Sequence, residues 1–162
     1  MNTASVDDTA VKQPGGCNCA AVRYLVTRPF LTVYICHCHL CQKRTGSAFS
    51  QVAVLPAQGF ALRAGQLLCT ARLTAHGTKN VSWACAACHS RIYTQREGGP
   101  PVINLRAGTL DDASQLRPVA QFWTSSAQPW ALLKDDVLSY AEQPTDYAPL
   151  LAAWQAIAGG SR

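Results

Sequence analysis

Leu31-Thr32-Val33-Tyr34-Ile35-Cys36-His37-Cys38-His39-Leu40-Cys41 joins a β-branched and aromatic run to three cysteines within six residues. The first half reads as a strand. The second half places three thiols where that strand ends. Similar short runs lie on either side. Ala21–Thr27 sets Val22, Tyr24 and Val26 opposite Arg23 in a period-two pattern. Phe49–Leu55 is apolar and stops at Pro56, and Phe60–Arg63, Leu67–Arg72, Val81–Ala84, Arg91–Thr94 and Val102–Leu105 follow. Gly59, Gly65, Gly77, Gly98, Gly99 and Gly108 punctuate them. Short strands separated by turns every ten residues or so predict a mainly β sandwich or open barrel. Only the end breaks the pattern. Leu150, Leu151, Trp154 and Ile157 recur at helical spacing, Asp146 is placed to cap, Pro149 is tolerated in the first turn, and Gly159-Gly160 stops the run.

The chain has 162 residues, 48% hydrophobic and 14% charged, which suits one folded domain and argues against disorder. No stretch approaches 18 uninterrupted apolar residues, so no membrane partner is expected. The net charge of +5 comes without a block of like charge, so it permits an anionic ligand but does not argue for nucleic acid. Residues 1–13 are polar and aperiodic and read as a flexible start. With no apolar block before Gly16, no secretory signal is expected and a cytoplasmic setting follows. Thiols stay reduced there, and eight cysteines then point to metal.

Seven of the eight fall into three groups: Cys17 and Cys19, then Cys36, Cys38 and Cys41, then Cys85 and Cys88. Zinc holds thiolates at about 2.3 Å in a tetrahedron, so ligand sulfurs sit nearly 4 Å apart. Two pairs close such a site, whereas a triplet leaves one position open. Seven divides into four plus three: the triplet gathers locally at low loop-closure cost, and Cys17, Cys19, Cys85 and Cys88 pair across the chain. The alternative combines two triplet cysteines with one pair. Disulfides are the weaker explanation in a reducing compartment. Cys69 stands apart and reads as a small buried hydrophobe.

His37 and His39 interleave with the triplet. If the segment is extended, alternation turns them away from Cys36 and Cys38, as surface or hydrogen-bonded histidines; either is also a candidate fourth ligand or proton carrier. Lys43 and Arg44 follow at once. They read equally as a solvated pair or as cations offsetting a three-thiolate zinc and attracting an anion.

These residues resemble the glutathione-dependent formaldehyde-activating enzyme family, which includes centromere protein V. Gly16-Cys17-Asn18-Cys19 leading into Val22-Arg23-Tyr24 is similar to its opening motif. The run from Cys36 to Phe49 resembles its longest signature, and Cys85-Ala86-Ala87-Cys88 its later cysteine pair. Arg106 to Asp112 resembles its loop, and Trp123 to Trp130, with Ser126 and Pro129, its closing motif. Three positions depart from the pattern. Ala20 and His89 stand where glycine is usual, and Gln121 where many members have histidine.

The resemblance implies a zinc-bearing β-tent of twisted antiparallel sheets, with residues 14–142 as the domain and 143–162 as a helical extension. It implies two zinc ions, one structural on Cys17, Cys19, Cys85 and Cys88, and one reactive on Cys36, Cys38 and Cys41. The activity implied is that of a carbon–sulfur lyase, joining formaldehyde to the glutathione thiol or reversing that step. Lys43, Arg44, Trp123 and Trp130 are the expected substrate-binding residues, and Asp111, Asp112 or a histidine the candidate proton carriers. A non-catalytic zinc module that docks a partner, and a thiol-based redox sensor, are the other readings.

Overall fold

The computed structural model describes residues 12–74, 77–133 and 136–159. Most of the expected flexible start lies outside them, although Gln13 already belongs to the first strand. That strand, β1 (Gln13–Gly16), pairs antiparallel with β2 (Arg23–Val26), Gln13 opposite Val26. Chain order continues through β3 (Thr32–Cys36), α1 (His39–Thr45), β4 (Ser50–Pro56), β5 (Phe60–Ala64), β6 (Leu67–Leu73), β7 (Lys79–Cys85), β8 (Arg91–Arg96) and β9 (Val102–Arg106). It closes with β10 (Ala120–Phe122), β11 (Leu138–Tyr140) and α2 (Ala148–Gly159).

Two sheets result. One has the order β1-β2-β5; the other runs β11-β10-β3-β4-β9-β8-β7-β6. The fold is therefore mainly β, with a C-terminal helix, as the strand pattern predicts. Every strand expected from the sequence is present within a residue or two. One feature departs from a purely antiparallel arrangement: β10 runs parallel to both β3 and β11. Each of these last two strands is three residues long, too short to show alternation.

The period-two patterns explain the packing. Val22, Tyr24 and Val26 point inward from the small sheet onto Val33, Ala53, Leu55, Ile92, Ile103 and Leu105 of the large one. Each aliphatic side chain buried this way contributes roughly 1.5–3 kcal/mol. On β3, Val33 belongs to this core, whereas Tyr34 packs in a second cluster with Phe122, the rings stacked at 4.2 Å. Leu150 of α2 joins that second cluster, and Trp154 Nε1 donates to the Phe30 carbonyl at 2.9 Å. The helix start is as expected, with Asp146 Oδ1 accepting from the Ala148 amide at 2.9 Å. Leu151 and Ile157 are more exposed than the helical pattern suggests, because the helix turns Leu150, Ala153 and Trp154 toward the core. Among the described residues no helix is long and apolar enough to cross a membrane.

Cys69 corrects an expectation. It is exposed, because β6 is the outer edge of the large sheet and turns both faces to solvent.

Candidate metal centres

The seven clustered thiols meet in two groups. In the first, Cys17 lies in the β1–β2 turn, where its amide donates to the Val22 carbonyl at 3.1 Å and its Sγ accepts from the Val22 amide at 3.2 Å. Cys85 ends β7 and Cys88 lies in the turn to β8. Cys17 and Cys19 Sγ are 3.5 Å apart, and Cys19 and Cys85 Sγ 3.9 Å; all four sulfurs lie within 4.8 Å of one another. One hairpin belongs to the small sheet and the other to the large, so this group joins the two sheets. Both turns close on a residue with positive φ, Ala20 (62°) and His89 (58°), where glycine carries no Cβ penalty. That is the backbone reason for glycine being usual at both places.

The charges in this group are shared. Burial opposes ionisation of Cys17, but the Val22 amide and the neighbouring thiols outweigh it and draw the group down. Hydrogen bonds to the Ser90 hydroxyl and amide hold Cys88 down at about 5.

In the second group, Cys36 is the last residue of β3, Cys38 is the N-cap of α1 and Cys41 lies in the helix's first turn. The segment is thus a strand end turning into a helix, not a continuous strand. Cap and third helical position face each other, and the Cys41 amide donates to Cys38 Sγ at 3.4 Å. The three sulfurs lie within 4.8 Å of one another. Hydrogen bonds from the Cys36 and Cys41 thiols lower Cys38 strongly, while Cys36 is raised by the same bonding and by burial. Gly46 at φ 66° ends the helix, its amide donating to the Gln42 carbonyl at 2.9 Å.

The helix turn also places the histidines. His39 opens α1 and is exposed. His37 is wholly buried, its ring edge-on to Phe49 at 5.7 Å, and neither ring nitrogen has a hydrogen-bond partner. This overturns the expectation of a surface or hydrogen-bonded histidine. His37 is not gathered with the three thiols. Its carbonyl accepts from Gln42 Nε2 at 2.6 Å and from Ser126 Oγ at 3.3 Å, which ties the 123–130 segment to the thiol loop.

Lys43 is exposed and Arg44 half-buried on α1. Trp123 is half-buried against the second cluster, with Nε1 donating to Gln143 at 3.4 Å. Trp130 is 79% exposed, so it is no part of core packing. Asp111 pairs with Arg23 and so ties its loop to β2, and Asp112 Oδ1 accepts from the Ser114 amide at 2.8 Å within its own turn. Gln121 is buried and bonded on every side: Nε2 donates to the Leu133 carbonyl and Ser139 Oγ, and Oε1 accepts from the Leu133 amide.

Sequence reasoning gave no role to two further arginines, Arg106, which it placed only at the start of the loop motif, and Arg91. Arg106 Nη1 donates at 2.8 Å to Ser50 Oγ, and Ser50 is the register partner of Cys36. Arg91 begins β8 immediately after the Cys85–Ser90 turn. The alternation of Asn104 and Arg106 with Ile103 and Leu105 on β9 was the available signal for the first.

The donor sets suit a soft, tetrahedral metal. All eight thiols are free, and sulfur separations of 3.5 and 3.9 Å match the spacing around a four-thiolate zinc. The four-thiol group could fill a tetrahedron by itself. The three-thiol group would leave one position for an outside ligand.

A crystal structure of a Rhodobacter sphaeroides protein aligns with 78% of this chain and 98% of its own, at 19% identity and a TM-score of 0.49. No curated protein matches the chain. The family model for the glutathione-dependent formaldehyde-activating enzyme matches residues 12–126, a span that holds both thiol groups and all strands from β1 to β10. The chain belongs to the glutathione-dependent formaldehyde-activating enzyme family.

Proposed function

We propose that this protein is a zinc-dependent carbon–sulfur lyase that adds the glutathione thiol to formaldehyde, giving S-(hydroxymethyl)glutathione, or runs the reverse step. The observation that carries the reading is the inequality of the two thiol groups. Cys17, Cys19, Cys85 and Cys88 offer a complete set of four, while Cys36, Cys38 and Cys41 offer three. The first is assigned a structural zinc and the second the reactive one. A zinc ion at the second would supply Lewis acidity, lowering a thiol's pKa from its usual value of about 8.5 or polarising a carbonyl oxygen.

The chain's own part is to hold and orient. The β3 end, the α1 cap and its first turn hold three sulfurs within 4.8 Å of one another, so a substrate thiol would complete the set of four. Gln42 and Ser126 clamp the loop through the His37 carbonyl. In the forward step a bond forms between the thiol sulfur and the aldehyde carbon, the carbonyl π bond breaks, and the thiol proton ends on the new hydroxyl oxygen. No oxidant or reductant is needed. Asp111, paired with Arg23 of β2, and Asp112, bonded within its own turn, are set aside as proton carriers. Arg44, with the 123–130 segment, is assigned to substrate binding.

The test is adduct formation followed by NMR, with glutathione and formaldehyde added to zinc-loaded protein. Formation faster than the uncatalysed reaction, lost in Cys41→Ala, supports the reading. Equal rates with and without protein would leave a zinc-binding interaction module in its place.

A further inference from the structure

The cations around the three-thiol group exceed what that group needs. Arg44 on α1, Arg91 at the start of β8 and Arg106 at the end of β9 come from three separate elements. All three are half-buried and all lie within the electrostatic reach of Cys41. Among the described residues, the ion pairs are Arg23 with Asp111 and Lys79 with Glu97; none of the three arginines has a carboxylate. Burial, then the charges of Arg72 and Arg106, pull Arg44 below its ordinary value. Burial, then Arg44 and Arg106, bring Arg91 down to about 10. Arg106 spends one Nη on Ser50, and its Nε is buried with no acceptor at all.

Like charges brought together and partly dehydrated are costly unless something offsets them. The thiolates offset only part. A dication on three thiolates carries one net negative charge, against three guanidiniums, so two positive charges remain. A bound substrate thiolate removes one. A single carboxylate would remove the other, and a buried guanidinium Nε beside a free Nη is the fork that a carboxylate meets with two parallel hydrogen bonds.

We propose that Arg44, Arg91 and Arg106 form a carboxylate-binding subsite beside Cys36, Cys38 and Cys41, which selects thiols that carry a carboxylate over neutral thiols. This rests on the reading that a substrate thiol occupies the three-thiol centre. It extends the substrate contacts beyond Arg44 to two residues on the large sheet, and it gives Lys43, exposed at the helix surface, no part.

The test is calorimetry on the zinc-loaded full chain with two small thiols of similar reach, 3-mercaptopropionate and 2-mercaptoethanol. Wild type is expected to bind the carboxylated thiol about tenfold more tightly, the worth of one charge-assisted hydrogen bond. Arg91→Gln and Arg106→Gln should each weaken 3-mercaptopropionate several-fold more than 2-mercaptoethanol, which loses only the attraction for its thiolate, with metal content and melting temperature as controls. Arg106→Lys should keep part of the preference. Should Arg106→Gln fail to fold, Arg91→Gln carries the test, since no hydrogen bond of its side chain supports the sheet. Equal affinity of wild type for the two thiols would overturn the subsite while leaving thiol binding intact. So would an equal loss of both thiols in Arg91→Gln, since the arginines would then act only on the thiolate charge. Binding of neither thiol is a different result: it removes the thiol reading itself, and the subsite with it.

Discussion

Cys19 Sγ lies 3.9 Å from Cys85 Sγ although 66 residues separate them in the chain. One thiol belongs to the hairpin of the three-stranded sheet and the other to a hairpin of the eight-stranded sheet. A metal shared between them would close a long loop, and its binding energy would be folding energy. Cys85→Ser, at a position 1% exposed, is therefore expected to abolish a cooperative melt or to send the protein into aggregates. Cys38→Ser should behave differently. It removes one ligand of the open centre but keeps the helix cap, since a serine hydroxyl accepts from the Cys41 amide as well as a thiol does, and should leave a folded chain with one metal. Comparable thermal melts for the two variants would contradict the division of roles.

Chelation should divide the two centres in time. A closed four-thiolate site has no position through which a competing ligand enters, whereas a three-thiolate site does. Two zinc ions per chain are expected, one removed by mild chelator and one retained until the protein unfolds. Elemental analysis before and after treatment reads this directly. Simultaneous loss of both metals, or a single metal at the outset, would be the contrary result.

Ala20 and His89 each close a cysteine turn at positive φ. The Ala20 amide donates to the Cys17 carbonyl at 3.1 Å and the His89 amide to the Cys85 carbonyl at 3.0 Å, so neither backbone can relax without opening its turn. A left-handed conformation costs an L-residue roughly 1–2 kcal/mol, while glycine loses about 0.5–1 kcal/mol through the unfolded chain. Ala20→Gly and His89→Gly should each raise stability by a few tenths to about 1 kcal/mol, read from denaturant midpoints of the metal-loaded protein. A fall in midpoint would mean that the side chains make contacts worth more than the strain.

How much of this was legible beforehand depended on the length of each signal. The run from Ala21 to Thr27 announced β2 because four residues alternate cleanly, and spacing showed three cysteine clusters while leaving open how the pairs and the triplet combine. Strands β10 and β11 have three residues each and gave no period. The helix α1 was hidden because it buries no residue; its caps, Cys38 and Gly46, hold it instead of an apolar stripe. Cys69 was misplaced since nothing in one strand's sequence says that the strand is an edge. Arg106 meets Ser50, the register partner of Cys36, only through sheet pairing, a long-range fact that no local pattern carries.

Gln121 stands where many family members have histidine, and its surroundings indicate what the change means. Its amide is 3% exposed and its hydrogen bonds go to Leu133 and Ser139, at 2.8 Å from Nε2 to each acceptor and 3.0 Å from the Leu133 amide to Oε1. None goes to a cysteine. Gln121 pairs in register with Ile35 on one side and Ser139 on the other, and its side chain ties Leu133 and Ser139 to β10. Gln121→Ala would remove the partners of the half-buried Leu133 amide and carbonyl, at a cost of about 1 kcal/mol. The expected outcome is a lower melting temperature with the thiol affinity of the folded protein unchanged. Gln121→His should recover less than half of the loss, because an imidazole cannot replace both amide hydrogen bonds to Leu133 and the one to Ser139 at once. A variant that kept its stability but lost thiol binding would place Gln121 in the reacting site after all.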